Sequence, residues 1–520
     1  MANYKSQGFN SRALSKNILF SVITFALNTF ISFFITPYIT NRFGSDTYGY
    51  VKLANDFASY ASLFSIALNS MASRFIMLEL TRGDHAKAQQ YFSSVGVANI
   101  LLAIVFVVPS ALCVHFLDTL FEIAPTMVFQ VKLTFALTFT NFLIQLVFSI
   151  FSNCYYLTNT LYLSSLRTSQ ASIINVITVL TLFLAFTPQI SYVIVGTLAA
   201  TVFTISANYY YCRRLIPDLK LRLSGFNLKC VWEILSSGIW NSITNLSQIL
   251  SSGLDLLITN IFIGPAVMGY LSIAKTVPNV IISFNATIAN VFSPNLMRLY
   301  AQDDKEGLKS AAKSAMRFMA LFVAIPNAIL VSMGTDFFRL WVPGQPVQMI
   351  NTLAVLTLIN SCITGPLQPL YQIFTITNKV RENSTVMIIY GFACIICSYT
   401  LLRLTSWGAY AVVSVSLIGS IFVATLYHLP YSAKHIGLPK LEFFPEVLKS
   451  LLSFVVVSAI GLCVNFAFDL SSSWFAWFGA AIGISVCGFT VNFFLILKRP
   501  ERQQFYGMVR KALNRIFQRV

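Results

Sequence analysis

Apolar segments long enough to cross a membrane follow one another along the whole chain. A transmembrane helix needs about 20 predominantly apolar residues. Fourteen segments reach about this length, and we number them spans 1–14: 17–37, 49–78, 91–116, 126–151, 164–186, 190–212, 232–262, 266–295, 310–333, 350–375, 384–404, 408–428, 447–469 and 474–497. Little chain is left for a soluble domain. The pattern therefore predicts an all-α integral membrane protein with about fourteen transmembrane helices.

Four of these spans carry polar residues on a single helical face. At about 100° per residue, the polar positions of each span fall within an arc of about 80° or less. They are Asn17, Ser21, Thr24, Asn28 and Ser32 on span 1, Lys52, Asp56, Ser59, Ser70 and Arg74 on span 2, Ser237, Asn241, Thr244, Gln248, Ser251, Asp255 and Thr259 on span 7, and Ser272, Lys275, Asn279, Ser283, Asn290 and Ser293 on span 8. Lipid cannot solvate such faces, so we expect them to line a water-filled cavity, which indicates transport. A similar stripe on span 4, from Thr134 through Gln145 to Ser152, suggests that span 4 also borders this cavity.

A repeat with an offset of 220 residues relates the two halves of the chain. The stretch Gly44–Tyr50 is echoed by Gly264–Tyr270, and Asp84 by Asp304. An even number of spans separates the copies, so both have the same orientation, as in a repeat about an axis along the membrane normal. The predicted domains are a lobe of spans 1–6 (1–212), a cytoplasmic linker (213–231), a lobe of spans 7–12 (232–428), spans 13–14 (429–497) and a basic amphipathic tail (498–520).

The positive charge of the chain is distributed by topology. The formal net charge is +17, although only 10% of the 520 residues are charged and 56% are hydrophobic. With the amino terminus inside, only six of the 35 Lys and Arg residues fall in outer segments: Arg42, Lys52, Lys132, Lys275, Arg339 and Arg403. This asymmetry follows the positive-inside rule and predicts that both termini are cytoplasmic. The basic residues then meet anionic lipid headgroups, and we expect no nucleic-acid partner.

The polar faces supply the candidate substrate-binding residues: Arg74, Lys275, Lys52, Asp56, Asp255, Asn28, Asn241, Gln248 and Asn279. Two interpretations stay open for the cations. Lys275 either pairs with Asp255 near mid-membrane or binds an anionic substrate, and Arg74 either reaches lipid headgroups or faces the cavity. Lys52 and Asp56, four residues apart, can form an ion pair. A weakly positive cavity rich in Ser, Thr, Asn and Gln suits an anionic glycan carrier, because these groups bind sugar hydroxyls.

Catalysis, cofactor binding and metal binding find no support in the sequence. The four His residues lie in loops or at span ends without metal-ligand spacing, and the nine Cys residues are scattered. Cys394 and Cys397 form a C-x-x-C motif on a membrane helix, where packing is the expected role. There is no Gly-rich phosphate-binding loop. We therefore expect a protein that is not an enzyme and that uses no cofactor.

Several short motifs resemble the oligosaccharide flippases of the Wzx type. They are Phe43-Gly44 with Tyr48-Gly49-Tyr50, Arg74 at the end of span 2, Phe262-Ile263-Gly264-Pro265 with Gly269-Tyr270, and Ser293-Pro294. These flippases belong to the superfamily of the multidrug extruders and the lipid II flippases. The resemblance implies two six-helix lobes in a V, with a cavity lined by spans 1, 2, 7 and 8. Spans 13–14 resemble the extra helix pair of the lipid II flippases.

The resemblance also implies a function. The expected substrate is an oligosaccharide repeat unit of O-antigen, capsule or exopolysaccharide on undecaprenyl pyrophosphate, moved from the inner to the outer leaflet of the bacterial cytoplasmic membrane. Arg74 and Lys275 match, in kind and in span, the cations that this family directs at the pyrophosphate. Membrane lipids are expected partners, and a polysaccharide polymerase and chain-length machinery are candidate partners.

Three other transport or enzyme classes fit the sequence less well. A cation-coupled multidrug antiporter of the same superfamily typically has an acidic residue on span 1, and residues 17–37 contain no Asp or Glu. A lipid II flippase would be expected to have Arg on span 1, and this span has none. A glycan polymerase or ligase would carry a large outer loop for catalysis, and no predicted outer loop is long enough.

Overall fold

The computed structural model describes residues 25–503 except 28, 31, 32, 159, 291 and 378, and in this part of the chain all regular structure is helical. Spans 2 and 3 are Ser45–Arg82 and His85–His115. Span 4 consists of the helix Val128–Phe148, a 3₁₀ segment Ser149–Ser152 and a short helix Asn153–Leu157. Spans 5 and 6 are Leu161–Ala185 and Ser191–Leu215. Span 7 consists of Leu228–Gln248, a π-helical turn Ile249–Gly253 and Asp255–Phe262. Spans 8 and 9 are Pro265–Asn290 and Lys305–Trp341. Span 10 consists of two helices, Val347–Leu358 and Ser361–Ile376, and span 11 is Val380–Leu404. Span 12 is Ala409–Phe422, a π-helical segment Val423–His428 and Leu429–His435, followed by span 13, Phe444–Ala467, and span 14, Trp474–Leu495.

Twelve helices of the described chain are long and apolar enough to cross a membrane. They correspond to predicted spans 2–6 and 8–14, which confirms the all-α membrane fold. Most of span 1, with its polar stripe, and the tail 504–520 lie outside the described residues. Span 7 is helical but is broken by the π-helical turn, and it is not among the twelve. The total of fourteen therefore stays a prediction.

The chain divides into two compact units. One unit extends to Gly269 and also contains Ser384–Phe392, and the other comprises Tyr270–Asn383 and the chain from Ala393 onward. The lobes 1–212 and 232–428 that the repeat defines stay a prediction.

The repeat is visible in the local conformation of the backbone. Gly83 and Asp303 both have positive φ, 81° and 52°, and Asp303 is the only such residue other than Gly in the described chain. The next residues, Asp84 and Asp304, begin the following helices, and each carboxylate accepts a hydrogen bond from the backbone N–H three residues on. Such a cap satisfies a donor that the first helical turn leaves open. The same turn and cap therefore occur in both copies.

The glycines of the two repeated motifs contact one another within the first unit. A Cβ on Gly49 would lie 3.1 Å from the Cα of Gly269, and a Cβ on Gly269 would lie 2.4 Å from the carbonyl carbon of Ser45. Only glycine permits this approach of two backbones. Contact between equivalent positions is what a two-fold axis requires of residues beside it. The superposition of whole halves stays a prediction.

Spans 13–14 pack against span 9 in the second unit through buried polar contacts. The Arg317 guanidinium on span 9 bonds Glu446 of span 13 at 2.8 Å and Glu501, just beyond span 14, at 2.6 Å. Both the Arg317 and Glu446 side chains are only 5% exposed. Deeper in the bundle, Asn492 donates to the carbonyl of Leu321. The extra helix pair is thus tied to the unit by ionic and neutral hydrogen bonds.

The charged state of Glu501 is favoured by these contacts. Burial raises the pKa of its carboxyl, but hydrogen bonds from Arg317 and from the backbone N–H of Lys498 outweigh burial, so the pKa falls below its ordinary value of 4.5. A lowered pKa in the folded state means that the interaction stabilises the fold above about pH 4.5 and is lost as the pH falls through the lowered value.

We predict that Arg317→Ala lowers the stability of the purified protein by about 3–5 kcal/mol, because it leaves the Glu501 carboxylate without its cation and leaves the buried Glu446 with only Lys449 at 3.3 Å. The measurement is the melting midpoint in detergent at neutral pH. Arg339→Ala is the matched control on the same helix, since Arg339 is 58% exposed and lies 3.6 Å from Asp336, a pair expected to contribute less than about 1 kcal/mol. Equal midpoints for the two variants would contradict the prediction.

Spans 2 and 7 also pack closely, and Gly238 permits it. A Cβ on Gly238 would lie 1.8 Å from the carbonyl oxygen of Ala67. We predict that Gly238→Ala forces these two helices apart and costs about 1–3 kcal/mol of stability. The control is Gly479→Ala on span 14, where an added Cβ meets nothing within 4 Å. A melting midpoint unchanged by Gly238→Ala would show that this close packing is dispensable.

Candidate functional site

Span 2 carries the polar face that the sequence predicts. Lys52 and Asp56 are half-buried, whereas Ser70 and Arg74 are exposed. The Lys52 ammonium lies 5.3 Å from the ring centroid of Tyr48, a distance suited to a cation–π contact. Arg74 has no ion-pair or hydrogen-bond partner among the described residues. The C-terminal part of this helix thus presents a cation that no carboxylate of the described chain neutralises.

Span 7 lies beside span 2 in the first unit and shares hydrogen bonds with it. Asn241 donates from its amide to the Ser70 hydroxyl at 3.1 Å, one turn from Arg74. The Ser242 hydroxyl donates to the backbone carbonyl of Leu63 at 2.8 Å. Gln248, the last residue of the first helical part of span 7, is exposed. The structure therefore brings Arg74, Ser70 and Asn241 together as one polar surface.

The π-helical turn of span 7 adds a residue that the sequence pattern missed. The Tyr60 hydroxyl donates to the Gly253 carbonyl at 2.6 Å, at the end of this turn. Asp56 and Asp255 both lie near enough to act electrostatically on that hydroxyl. Asp255 is only 5% exposed. Tyr60 follows Asp56 by four residues and so shares its helical face, which is the signal that could have identified it.

Two predicted residues belong to the second unit and one lies outside the described residues. Lys275 is half-buried on span 8, and Asn279 is exposed one turn later. Pro278 lies between them inside the helix. The pairing of Lys275 with Asp255 stays a prediction, because the two residues belong to different units. Asn28 lies outside the described residues.

The arrangement on spans 2 and 7 is suited to binding. It offers a guanidinium, an amide and a hydroxyl on one surface, groups that bind phosphate and sugar oxygens. In the described chain no group of three or more His, Cys, Asp or Glu side chains could hold a metal ion.

Comparisons with known proteins agree with this reading of the fold. The chain is 25% identical over 499 residues to the membrane protein EpsK of Bacillus subtilis (strain 168), covering 95% of this chain and 98% of that protein. Its fold is similar to that of the lipid II flippase MurJ in an inward closed conformation, with a TM-score of 0.64, 15% identity and coverage of 91% of this chain and 98% of that one. It is also similar to an inward-facing multidrug resistance MATE family transporter of the MOP superfamily, with a TM-score of 0.59, 14% identity and coverage of 79% and 94%.

At these identities the two solved structures show the fold alone, which is that of membrane transporters. Residues 84–345, half of the chain, match the family described as polysaccharide biosynthesis protein. Together with the helical membrane fold, this match supports the flippase resemblance of the sequence motifs. The chain belongs to the polysaccharide biosynthesis protein family.

Proposed function

We propose that this protein is a flippase that moves oligosaccharide repeat units, linked to undecaprenyl pyrophosphate, from the inner to the outer leaflet of a bacterial cytoplasmic membrane. Its family and its transporter fold support a role in moving a polysaccharide precursor. The observation that carries the choice of substrate is Arg74, an exposed cation on the polar face that span 2 shares with span 7.

The depth of Arg74 suits a lipid-linked phosphate. Span 2 has 38 residues and is therefore about 57 Å long, more than the roughly 45 Å of a bilayer with its headgroups. Arg74 lies eight residues before the end of this helix at Arg82, or about 12 Å along its axis. With span 2 centred in the bilayer, the guanidinium would lie near one headgroup layer, which is also the depth of the pyrophosphate of a lipid-linked substrate.

The chemistry of the surface fits both parts of the substrate. A pyrophosphate that leaves water needs compensating charge, and a guanidinium supplies it with two parallel hydrogen bonds. The hydroxyl and amide groups of Ser70 and Asn241, one turn away, can exchange their mutual bond for bonds to sugar hydroxyls. In the second unit, Pro278 interrupts the hydrogen-bond ladder of span 8 and offers a hinge for alternating access.

The direction of transport requires a defined orientation. We propose that both termini and the linker 213–231 are cytoplasmic, because the basic residues concentrate on that side. Membrane lipids surround the protein, and a polymerase and chain-length machinery on the outer face would consume its product.

This topology predicts which loops a membrane-impermeant maleimide reaches in intact cells. Ser224→Cys lies in the linker and should label only after the cells are opened, whereas Ser472→Cys, between spans 13 and 14, should label from outside. Both serines are exposed. The unmodified protein is the control, because it shows how much label the nine native cysteines take up. Labelling of Ser224→Cys in intact cells would reverse the proposed orientation.

We predict that Arg74→Ala lowers surface polysaccharide per folded transporter by roughly ten- to a hundredfold, the effect of losing about 1.5–3 kcal/mol of charged hydrogen bonding. Arg74→Lys should retain part of the activity, since it keeps the charge without the planar fork. Arg82→Ala is the control on the same helix. Arg82 is 60% exposed and bonds Glu79, which also contacts Lys87. Normal export by Arg74→Ala would remove the basis of the proposed substrate.

The role of Lys275 is decided by the same assay with Asp255. If Lys275 binds phosphate, Lys275→Ala abolishes export while the amount of folded protein stays normal. If the two residues instead form a structural pair, each single Ala variant lowers the folded amount and the double variant restores much of it. A double variant that folds and exports like the unmodified protein would eliminate the phosphate role of Lys275.

A further inference from the structure

A second polar site lies inside the first unit, between spans 4, 5 and 6. Each span contributes hydroxyl or amide side chains to the wall of a cleft of about 400 Å³, among them Ser149 and Ser152, Ser172 and Asn175, and Thr197 and Thr201. On each helix the lining residues recur at intervals of three or four positions, so they share one face. Gln145 and Ser152, which the sequence pattern assigned to the transport cavity, line this cleft.

The cleft coincides with a break in span 4. Residues Ser149–Ser152 form a 3₁₀ segment between the two α-helical parts of the span. Irregular backbone at membrane depth is tolerated where it is buried in protein or lines a water-filled cavity. A 3₁₀ stretch within a helix often marks a functional position. The break therefore points to a purpose for the cleft beyond packing.

Neighbouring helices hold this break in place. The Ser149 hydroxyl donates to the Asn69 amide oxygen of span 2 at 3.1 Å and accepts from the Asn99 amide of span 3 at 2.9 Å. Asn99 also donates to Asn69 at 3.0 Å, and it is fully buried. A closed triad of this kind fixes the wall of the cleft before any ligand enters, which lowers the entropic cost of binding.

The wall of the cleft offers both hydrogen-bond donors and acceptors, because the amides of Gln145, Asn175 and Asn208 line it beside the hydroxyls. The hydroxyls of Ser172, Thr197 and Thr204 each donate to a backbone carbonyl four residues earlier, at 3.0, 3.1 and 2.9 Å. The hydroxyl oxygens of Thr197 and Thr204 also carry lone pairs that can accept from a ligand. The amide oxygen of Asn175 is buried and has no hydrogen-bond partner. None of the described residues that line the cleft is charged, and Phe148 adds an apolar surface.

This lining selects the chemistry of the ligand. A phosphate is disfavoured, because no cation lines the cleft to compensate its charge. A single ion is too small, since the volume equals that of about 13 water molecules at roughly 30 Å³ each. A ligand with several hydroxyl groups, which both donate and accept, and one apolar face matches both the polar wall and Phe148.

We propose that this cleft binds a neutral polyhydroxylated group of about the size of one hexose ring. The preference for a sugar over another neutral polyol rests on the proposed function, whereas binding itself is measurable without transport. The site gives the first unit a contact for the uncharged part of a substrate, separate from the cation at Arg74.

The test uses the full chain, purified in a polyoxyethylene detergent that contains no sugar. Hexyl β-glucoside is the probe, and hexyl tetraethylene glycol ether, with the same tail and no ring, is its matched control. We expect the glucoside to raise the melting midpoint saturably by at least about 2 °C and the ether to have no such effect. No saturable response to the glucoside would overturn the proposal and indicate a cleft filled only with water.

Two variants locate the response. Thr201→Val removes a hydroxyl that accepts from Gln145 at 3.2 Å, and Asn175→Leu removes the buried amide oxygen that has no partner. Each should raise the glucoside concentration of half-maximal response at least about tenfold. Thr400→Val is the matched control on span 11, since its exposed hydroxyl donates only to the carbonyl of Ile396. Unchanged responses in both cleft variants would place the probe elsewhere and overturn the proposal.

The last comparison measures the melting midpoint in sodium chloride and in choline chloride at the same concentration. A midpoint that rises with sodium and loses this rise in Thr201→Val would identify an ion site and also overturn the proposal. The proposed function fails by a different result, normal export by Arg74→Ala, which leaves the thermal response of the cleft unaffected. The two proposals therefore fail independently.

Discussion

The absence of hydrogen-bonding partners in lipid is the constraint on which this structure depends. Every polar group at membrane depth must be satisfied within the protein or face water. Most Ser and Thr hydroxyls on the spans meet this requirement locally by bonding a carbonyl three or four residues earlier, as Thr138 and Ser332 do. Groups that cannot be satisfied in this way must find partners on other helices. These partners determine which helices pack together.

The contact between spans 2 and 7 follows from this requirement. The lack of a side chain at Gly238 lets the backbones approach, and this proximity brings Tyr60 within reach of the Gly253 carbonyl. A π-helical turn ends at that carbonyl, so the tyrosine hydroxyl supplies a hydrogen bond where the regular α-helical pattern is interrupted. The same packing places Asn241 against Ser70 and leaves Arg74 exposed beyond it. Backbone packing and the candidate binding surface thus have one origin.

Much of the fold could be predicted from periodicity, because membrane helices satisfy their own backbone and need few tertiary contacts to form. The repeat was also visible in the sequence, because positions such as Asp84 and Asp304 keep the same residue, and in the structure each of these residues caps a helix. The helix breaks at Ser149–Ser152 and Ile249–Gly253 could not be predicted from the sequence, because each is held by hydrogen bonds to residues far away in the chain. A polar stripe shows which face of span 4 is polar without showing which helices meet it, so the cleft with spans 5 and 6 went unpredicted.

Two arginines on long helices of this chain differ in their surroundings. On span 9, Arg317 is buried and receives two carboxylates, which is what a guanidinium requires when it has only a structural role. On span 2, Arg74 lies on a helix of similar length and has no such carboxylate in the described chain. An exposed Arg near a headgroup layer is stable only if water, lipid phosphate or a ligand solvates it. All of these partners are exchangeable, and under the proposed function the exchange of water for a lipid-linked phosphate at Arg74 is the first step of translocation.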